Sequence, residues 1–128
     1  MLNKILMNLN RTDGIVGSLV CGNDGLLIQA VMEPGTEKSV SEEFASIVSS
    51  IFSSWDSLYS GAKNKNFEIL EDFGNIKRAM IETTEGGTII INRVNENALL
   101  AVIVESGANL GLIRMNMDDI LSDIASSI

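Results

Sequence analysis

Carboxylates, hydroxyls and amines are the side chains left to do chemistry in this chain, because it has no histidine and one cysteine, Cys21. Imidazole acid–base catalysis, nucleophiles paired with histidine, and histidine metal sites are therefore excluded. One cysteine makes neither an internal disulfide nor a multi-cysteine metal site. Cys21 stands in an apolar strand with nothing beside it in sequence to lower its pKa, and it reads as a small hydrophobe, not a redox sensor. The segment Pro34-Gly35-Thr36-Glu37-Lys38-Ser39 ends in the Lys-Ser of a phosphate loop. That loop needs glycines one and six residues before the lysine, so that backbone amides can cradle phosphate, and Glu37 and Met32 stand there instead. A carboxylate beside phosphate repels it. No spacing of acidic residues marks a catalytic pair. The expectation is a protein with no catalytic residue, cofactor or metal.

The elements that would position any site begin from 128 residues, 45% of them apolar and 20% charged, which suits one α+β domain over residues 1–128. Seventeen acidic residues against nine basic ones give a net charge of −8 and a pI near 4.4, which argues against a nucleic-acid partner or an anionic lipid surface. The chain has no apolar run of membrane-spanning length, and asparagines interrupt its start too often for a signal peptide, so neither membrane insertion nor export is expected. A cytoplasmic location follows, and the glycosylation-like Asn10-Arg11-Thr12 is silent there.

Leu2, Ile5, Leu6 and Leu9 have the spacing of a short amphipathic helix. Ile15 to Cys21 and Leu26 to Met32 read as antiparallel strands joined by Gly22-Asn23-Asp24-Gly25, a turn composition that needs positive φ. A long helix follows over residues 41–60, with Ser41 as its cap. Gly61 to Asn66 reads as a basic polar loop, and Phe67 to Gly74 as extended chain. Three strands then run as a meander: Asn75 to Thr84, Thr88 to Val94, and Ala98 to Glu105. The last two are apolar on both faces and must be covered above and below, whereas Lys77, Arg78 and Glu82 mark the first as an edge. A closing helix, with Asn116 as the expected cap, carries Met117, Ile120, Leu121, Ile124 and Ile128 on one stripe. The order is α-β-β-α-β-β-β-α, a five-stranded antiparallel sheet with the middle helix on one face and the terminal helices on the other.

The middle helix carries the most information. At about 100° per residue, Phe44, Ala45, Ile47, Val48, Ile51, Phe52, Trp55, Leu58 and Tyr59 fall in an arc of about 160°. Lysine and glutamate usually fill the outer face of a helix, but serines fill this one. The expected docking surface is Ser46, Ser49, Ser50, Ser53 and Ser57, small and uncharged, which a partner can approach without clearing long side chains. The plainer reading is a solvated face that happens to be rich in serine. An arc of 160° is wider than the roughly 100° that cover of a sheet requires, and Ala45, Phe52 and Tyr59, seven apart along one margin, are the residues expected to meet a twin helix.

Three pieces taken together resemble the roadblock family of dynein light chains and their bacterial and archaeal relatives. They are Gly14-Ile15-Val16-Gly17-Ser18-Leu19-Val20 leading to Asp24-Gly25-Leu26, Leu99-Leu100-Ala101-Val102-Ile103-Val104, and Asn109-Leu110-Gly111-Leu112-Ile113-Arg114. The resemblance implies a non-enzymatic module that forms a homodimer, or a heterodimer with a roadblock-like paralogue. Such a module acts as a platform or regulator for a small Ras-like GTPase, or as an adaptor in a cytosolic assembly. It further implies sheet order 2-1-5-4-3, pairing of the two third-strand edges across the dimer, and middle helices lying side by side. On that basis Lys77, Ala79, Ile81 and Thr83 join the expected dimer interface. Arg11, Arg78, Arg93 and Arg114 are the arginines from which a transition-state finger would have to come, and the alternative for each is ordinary surface or edge charge. The segment from Lys63 to Gly74 is longer than the family leads one to expect.

Two other classes compete. Compact five-stranded sheets with helical cover also form small-molecule sensors of the PAS type, but such a pocket wants aromatic walls, and this meander has no aromatic residue in its strands. A small hydrolase would lack both histidine and a carboxylate pair.

Overall fold

The computed structural model describes residues 1–64 and 68–128, without the side chains of residues 62–64. Its elements are α1 (Leu2–Leu9), β1 (Ile15–Gly22), β2 (Leu27–Met32), α2 (Lys38–Asn64), β3 (Arg78–Glu82), β4 (Thr88–Asn95), β5 (Ala98–Val104) and α3 (Leu110–Ser126), with a 3-10 turn at Glu68–Leu70. The strands form one antiparallel sheet in the order β2-β1-β5-β4-β3, the order that the resemblance implies.

Side chains alternate across this sheet and fill two cores. One face buries Val20, Ile90, Leu100, Val102 and Val104 against Leu2, Leu6 and Leu9 of α1 and Ile113, Met117 and Ile124 of α3. The other buries Leu19, Cys21, Ile91, Leu99 and Ala101 against Ala45, Val48 and Phe52 of α2. The terminal helices thus share one face and the middle helix has the other. The double apolar pattern of β4 and β5 is explained by this cover.

Three elements have bounds that differ from those expected. Helix α2 starts at Lys38 and runs on through Gly61 to Asn64, so Ser41 is a buried residue inside it and not its cap, and part of the expected loop is helical. No helix breaker stands between Gly35 and Ser41, and the chain coils as soon as the Pro34-Gly35 turn is passed. Residues 65–67 of the expected loop and extended segment lie outside the described residues. Helix α3 starts at Leu110, where the Asn109 Oδ1 accepts the Leu112 amide at 3.1 Å. Gly111 in its first turn hides that start from a propensity reading, and Asn116 sits mid-helix, donating to the Thr12 hydroxyl at 2.9 Å. Strand β3 has five residues and not ten. The Trp55 indole holds the Gly74 carbonyl at 2.8 Å, and Gly74 takes a positive φ of 79°, so the chain enters the ladder only afterwards.

Candidate interaction site

Helix α2 presents three faces. Ala45, Val48 and Phe52 point into the core. Val40, Ile47, Ile51 and Leu58, spaced 7, 4 and 7 apart, lie on a second line roughly 110° away. Ile47 and Leu58 are 58% and 55% exposed, and Val40 is exposed as well. Ser46, Ser50, Ser53 and Ser57 form the third face, again roughly 110° from the apolar line, and all four are exposed.

The sheet decides which margin of the apolar arc is surplus. Ala45 and Phe52, expected at a helix–helix interface, are 0% and 2% exposed and belong to the core beneath α2. They offer no surface to a second chain, and Tyr59 is only partly accessible. The surplus lies at the opposite margin, on Ile47 and Leu58, and the sequence signal for it was the 7-4-7 spacing that begins at Val40. This apolar line flanks the β3 side of the helix. Trp55, between the core and the apolar line, bonds to Gly74 just before β3. Ser49, beyond the core on the other side, is covered by the β1–β2 turn.

That turn also revises the serine face. Ser49 is 6% exposed. Gly25 reaches over it with φ of 86°, and a Cβ there would lie 3.0 Å from the Ser49 Oγ. Two of the exposed hydroxyls, those of Ser50 and Ser53, turn back on the helix. Ser50 Oγ donates to the Ser46 carbonyl at 2.8 Å, and Ser53 Oγ to the Ser49 carbonyl at 3.0 Å. No charged residue occurs from Phe44 to Trp55, so this stretch offers little that a docking partner must desolvate.

The sheet has two edges, and they differ. In β2 the pairing steps from Val20↔Gln29 to Cys21↔Leu27, which leaves Ile28 as a bulge. A bulge blunts an edge against further pairing. Strand β3 pairs with β4 without interruption, from Arg78↔Asn92 to Glu82↔Thr88. Its phase follows from its flanks: the Lys77 carbonyl accepts the Arg93 amide at 2.8 Å, and the Thr83 amide donates to the Gly87 carbonyl at 2.9 Å. Antiparallel alternation then turns the backbone groups of Lys77, Ala79, Ile81 and Thr83 toward β4 and those of Arg78, Met80 and Glu82 toward open solvent. The four residues expected at the edge are therefore of the wrong phase for backbone pairing, and Ala79 and Ile81 pack under α2.

Two of the four arginines are held in place. Arg78 Nε donates to Asn92 Oδ1 at 2.7 Å, and its Nη2 bonds Asp118 of α3. Arg93 lies over the Phe52 ring, 5.3 Å from its centre, bonds the Ile76 carbonyl and pairs with Asp56 at 3.2 Å. Arg11 and Arg114 are exposed. Among the described residues no three metal-ligating side chains converge. Grooves of about 420 Å³ at the β2 rim and about 410 Å³ beside Trp55 are open clefts, and among the described residues Leu19, Cys21, Ile91 and Leu99 of the sheet pack directly on Ala45, Val48 and Phe52 of α2, where a sensor would hold its ligand.

Burial, reinforced by the Asp24 carboxylate, pushes the Cys21 thiol from 9.0 to about 11. Only the unfolded chain then ionises as pH rises past 9.0, so this group withdraws stability between pH 9 and about 11. At pH 8 alkylation of the folded protein by iodoacetamide is expected to run at least roughly a hundredfold slower than in denaturant. Equal rates in the two states would show that Cys21 is neither buried nor suppressed.

The sequence profile described as Roadblock/LC7 domain matches residues 1–104. The uncharacterized protein MJ0310 of Methanocaldococcus jannaschii is 33% identical over 117 residues, which cover 91% of this chain and 90% of that protein. Among solved structures, a Roadblock/LC7 domain from Streptomyces avermitilis superposes with a TM-score of 0.77 at 15% identity, covering 97% of this chain and 94% of that one. Myxococcus xanthus MglB gives 0.75 at 17% identity, covering 99% and 96%. No described helix is long and apolar enough to cross a membrane.

Proposed function

The chain belongs to the Roadblock/LC7 family, and we propose that it acts as a homodimeric docking module whose serine face receives a small Ras-like GTPase. The family is one of non-enzymatic adaptors and regulators. The observation that carries the reading is the division of α2 into three faces. One is spent on the core, one is apolar and exposed toward the β3 edge, and one is flat and neutral.

Dimerisation through β3 brings the two apolar lines of α2 toward each other, because they flank that edge. Burying Ile47 and Leu58 from both copies supplies the hydrophobic centre that a stable interface requires. Pairing also removes the hazard of an unblunted sheet edge. The serine faces remain outside and form one surface of two copies. The Ser50 and Ser53 hydroxyls at its centre are satisfied by their own helix, so a GTPase pressed there strands neither of them.

In this reading the module holds its partner and contributes no arginine to it from β3 or β4. Arg78 and Arg93 would have to break pairs with Asp118 and Asp56 before reaching out.

Ser50→Arg and Ser53→Glu, made separately, are expected to leave fold and dimer intact and to weaken GTPase binding by at least about tenfold, a loss of roughly 1.4 kcal/mol. Asp119→Lys on α3 should change neither. Binding is read by capture of small GTPases from native cytosol loaded with GTP or GDP, then by titration of the recovered protein. Wild-type affinity in both serine variants would leave that face as solvated surface only.

A further inference from the structure

We infer that two copies pair through β3 in a single antiparallel register centred on Met80, with Arg78 of each copy opposite Glu82 of the other. The inference rests on the dimer reading above and specifies how the copies recognise each other.

Only Arg78, Met80 and Glu82 turn backbone N–H and C=O groups to the open edge, by the alternation that the Lys77 and Thr83 bonds to β4 fix. In a two-fold arrangement about Met80, that residue exchanges both bonds with its own counterpart, and each Arg78 does so with a Glu82. Every outward group on the strand is then used. Centring on Ala79 or on Ile81 keeps outward groups opposite one another but pairs Met80 with Arg78 or with Glu82, which parts the opposite charges and sets one outward residue against chain beyond the strand. Centring on Arg78 or on Glu82 would oppose like charges and leave outward groups without partners.

The side chains agree with the backbone. Arg78, Met80 and Glu82 share the sheet face on which α3 lies, as the bond from Arg78 to Asp118 shows. Arg78 is held extended there by Asn92 and Asp118 through Nε and Nη2, which leaves Nη1 to donate. Glu82 is exposed and makes no ion pair among the described residues. Opposite charges directly across an antiparallel pair attract, and like charges repel. A five-residue strand that reads Arg-Ala-Met-Ile-Glu is thus complementary to itself when reversed.

The test is a charge exchange. Arg78→Glu and Glu82→Arg, each alone, place like charges opposite one another and are expected to raise the dimer dissociation constant at least about tenfold. Mixed in equal amounts they restore both pairs, and a heterodimer near wild-type affinity should form, read by sedimentation with one variant fluorescently labelled. Because Arg78→Glu also faces Asp118, a second probe is independent of charge. The Cα atoms of a hydrogen-bonded antiparallel pair lie about 5.5 Å apart, within disulfide range. Oxidised Met80→Cys should therefore link two copies covalently, and Glu82→Cys should not. Wild-type association in both charge variants, no recovery on mixing, or crosslinking through Glu82→Cys instead of Met80→Cys would each overturn the register while leaving dimerisation standing. A wild type that sediments as a monomer at tens of micromolar would overturn the dimer reading itself.

Discussion

Met80→Pro is expected to yield a folded monomer, and Ala79→Pro, one residue away, a damaged fold. The Met80 amide faces open solvent at the β3 edge, where proline removes no bond inside the chain. It does remove a donor that a second copy would use, and it places a ring where that copy's backbone must approach. The Ala79 amide points the other way, into the ladder with Ile91. Proline there strands a carbonyl of β4, a strand whose Ile90 and Ile91 are both fully buried. The loss is expected at roughly 1–3 kcal/mol, the penalty of one unsatisfied buried acceptor, before any strain is added. Sedimentation reads the first effect and thermal unfolding the second. A dimeric Met80→Pro with unchanged affinity would mean that β3 is not the pairing edge. An Ala79→Pro as stable as wild type would mean that the ladder phase is reversed.

Phe52→Ala and Ile47→Asp should separate core from interface on the same helix. Phe52 is buried in the monomer, and truncation is expected to cost about 3–5 kcal/mol. It also removes the ring under Arg93, whose guanidinium holds Asp56 and the Ile76 carbonyl, so α2 loses part of its polar tie to the β4 side. Ile47 is more than half exposed, and aspartate there should change monomer stability by no more than about 0.5 kcal/mol. In the dimer it would bury a charge against the facing helix, and association should fall by at least about a hundredfold. Urea unfolding at low concentration gives the first comparison, and concentration-dependent sedimentation the second. Should Ile47→Asp dimerise normally while Phe52→Ala alone weakens association at full stability, the interface would lie on the Ala45–Phe52 margin after all.

Much of this protein was determined by local pattern. The absence of histidine, the lone buried Cys21 and the Glu37 beside Lys38 left no route to the commonest catalytic sites, because those chemistries need particular atoms and the atoms are missing. Periodicity gave the eight elements in order, since burial on one face imposes 3.6-residue or 2-residue repeats wherever it occurs. The double apolar runs of β4 and β5 required cover on both sheet faces. Helix α2 showed its apolar arc and its serines plainly.

What only the tertiary structure decided were phases and ends. The 160° arc is the same in either setting, and only the direction from which the sheet meets α2 makes Ala45 and Phe52 core and leaves Ile47 and Leu58 at the surface. The sequence of β3 alternates in either sense, and only its register with β4 turns the amides of Arg78, Met80 and Glu82 outward and those of Ala79 and Ile81 inward. Ser49 looks like its neighbours until the Gly25 turn closes over it. The start of α3 at Asn109 and of β3 at Arg78 depended on a side-chain cap and on a tryptophan bond to Gly74. Each of these rests on a contact between residues distant along the chain, whereas a periodic pattern records that a face is buried without recording what buries it.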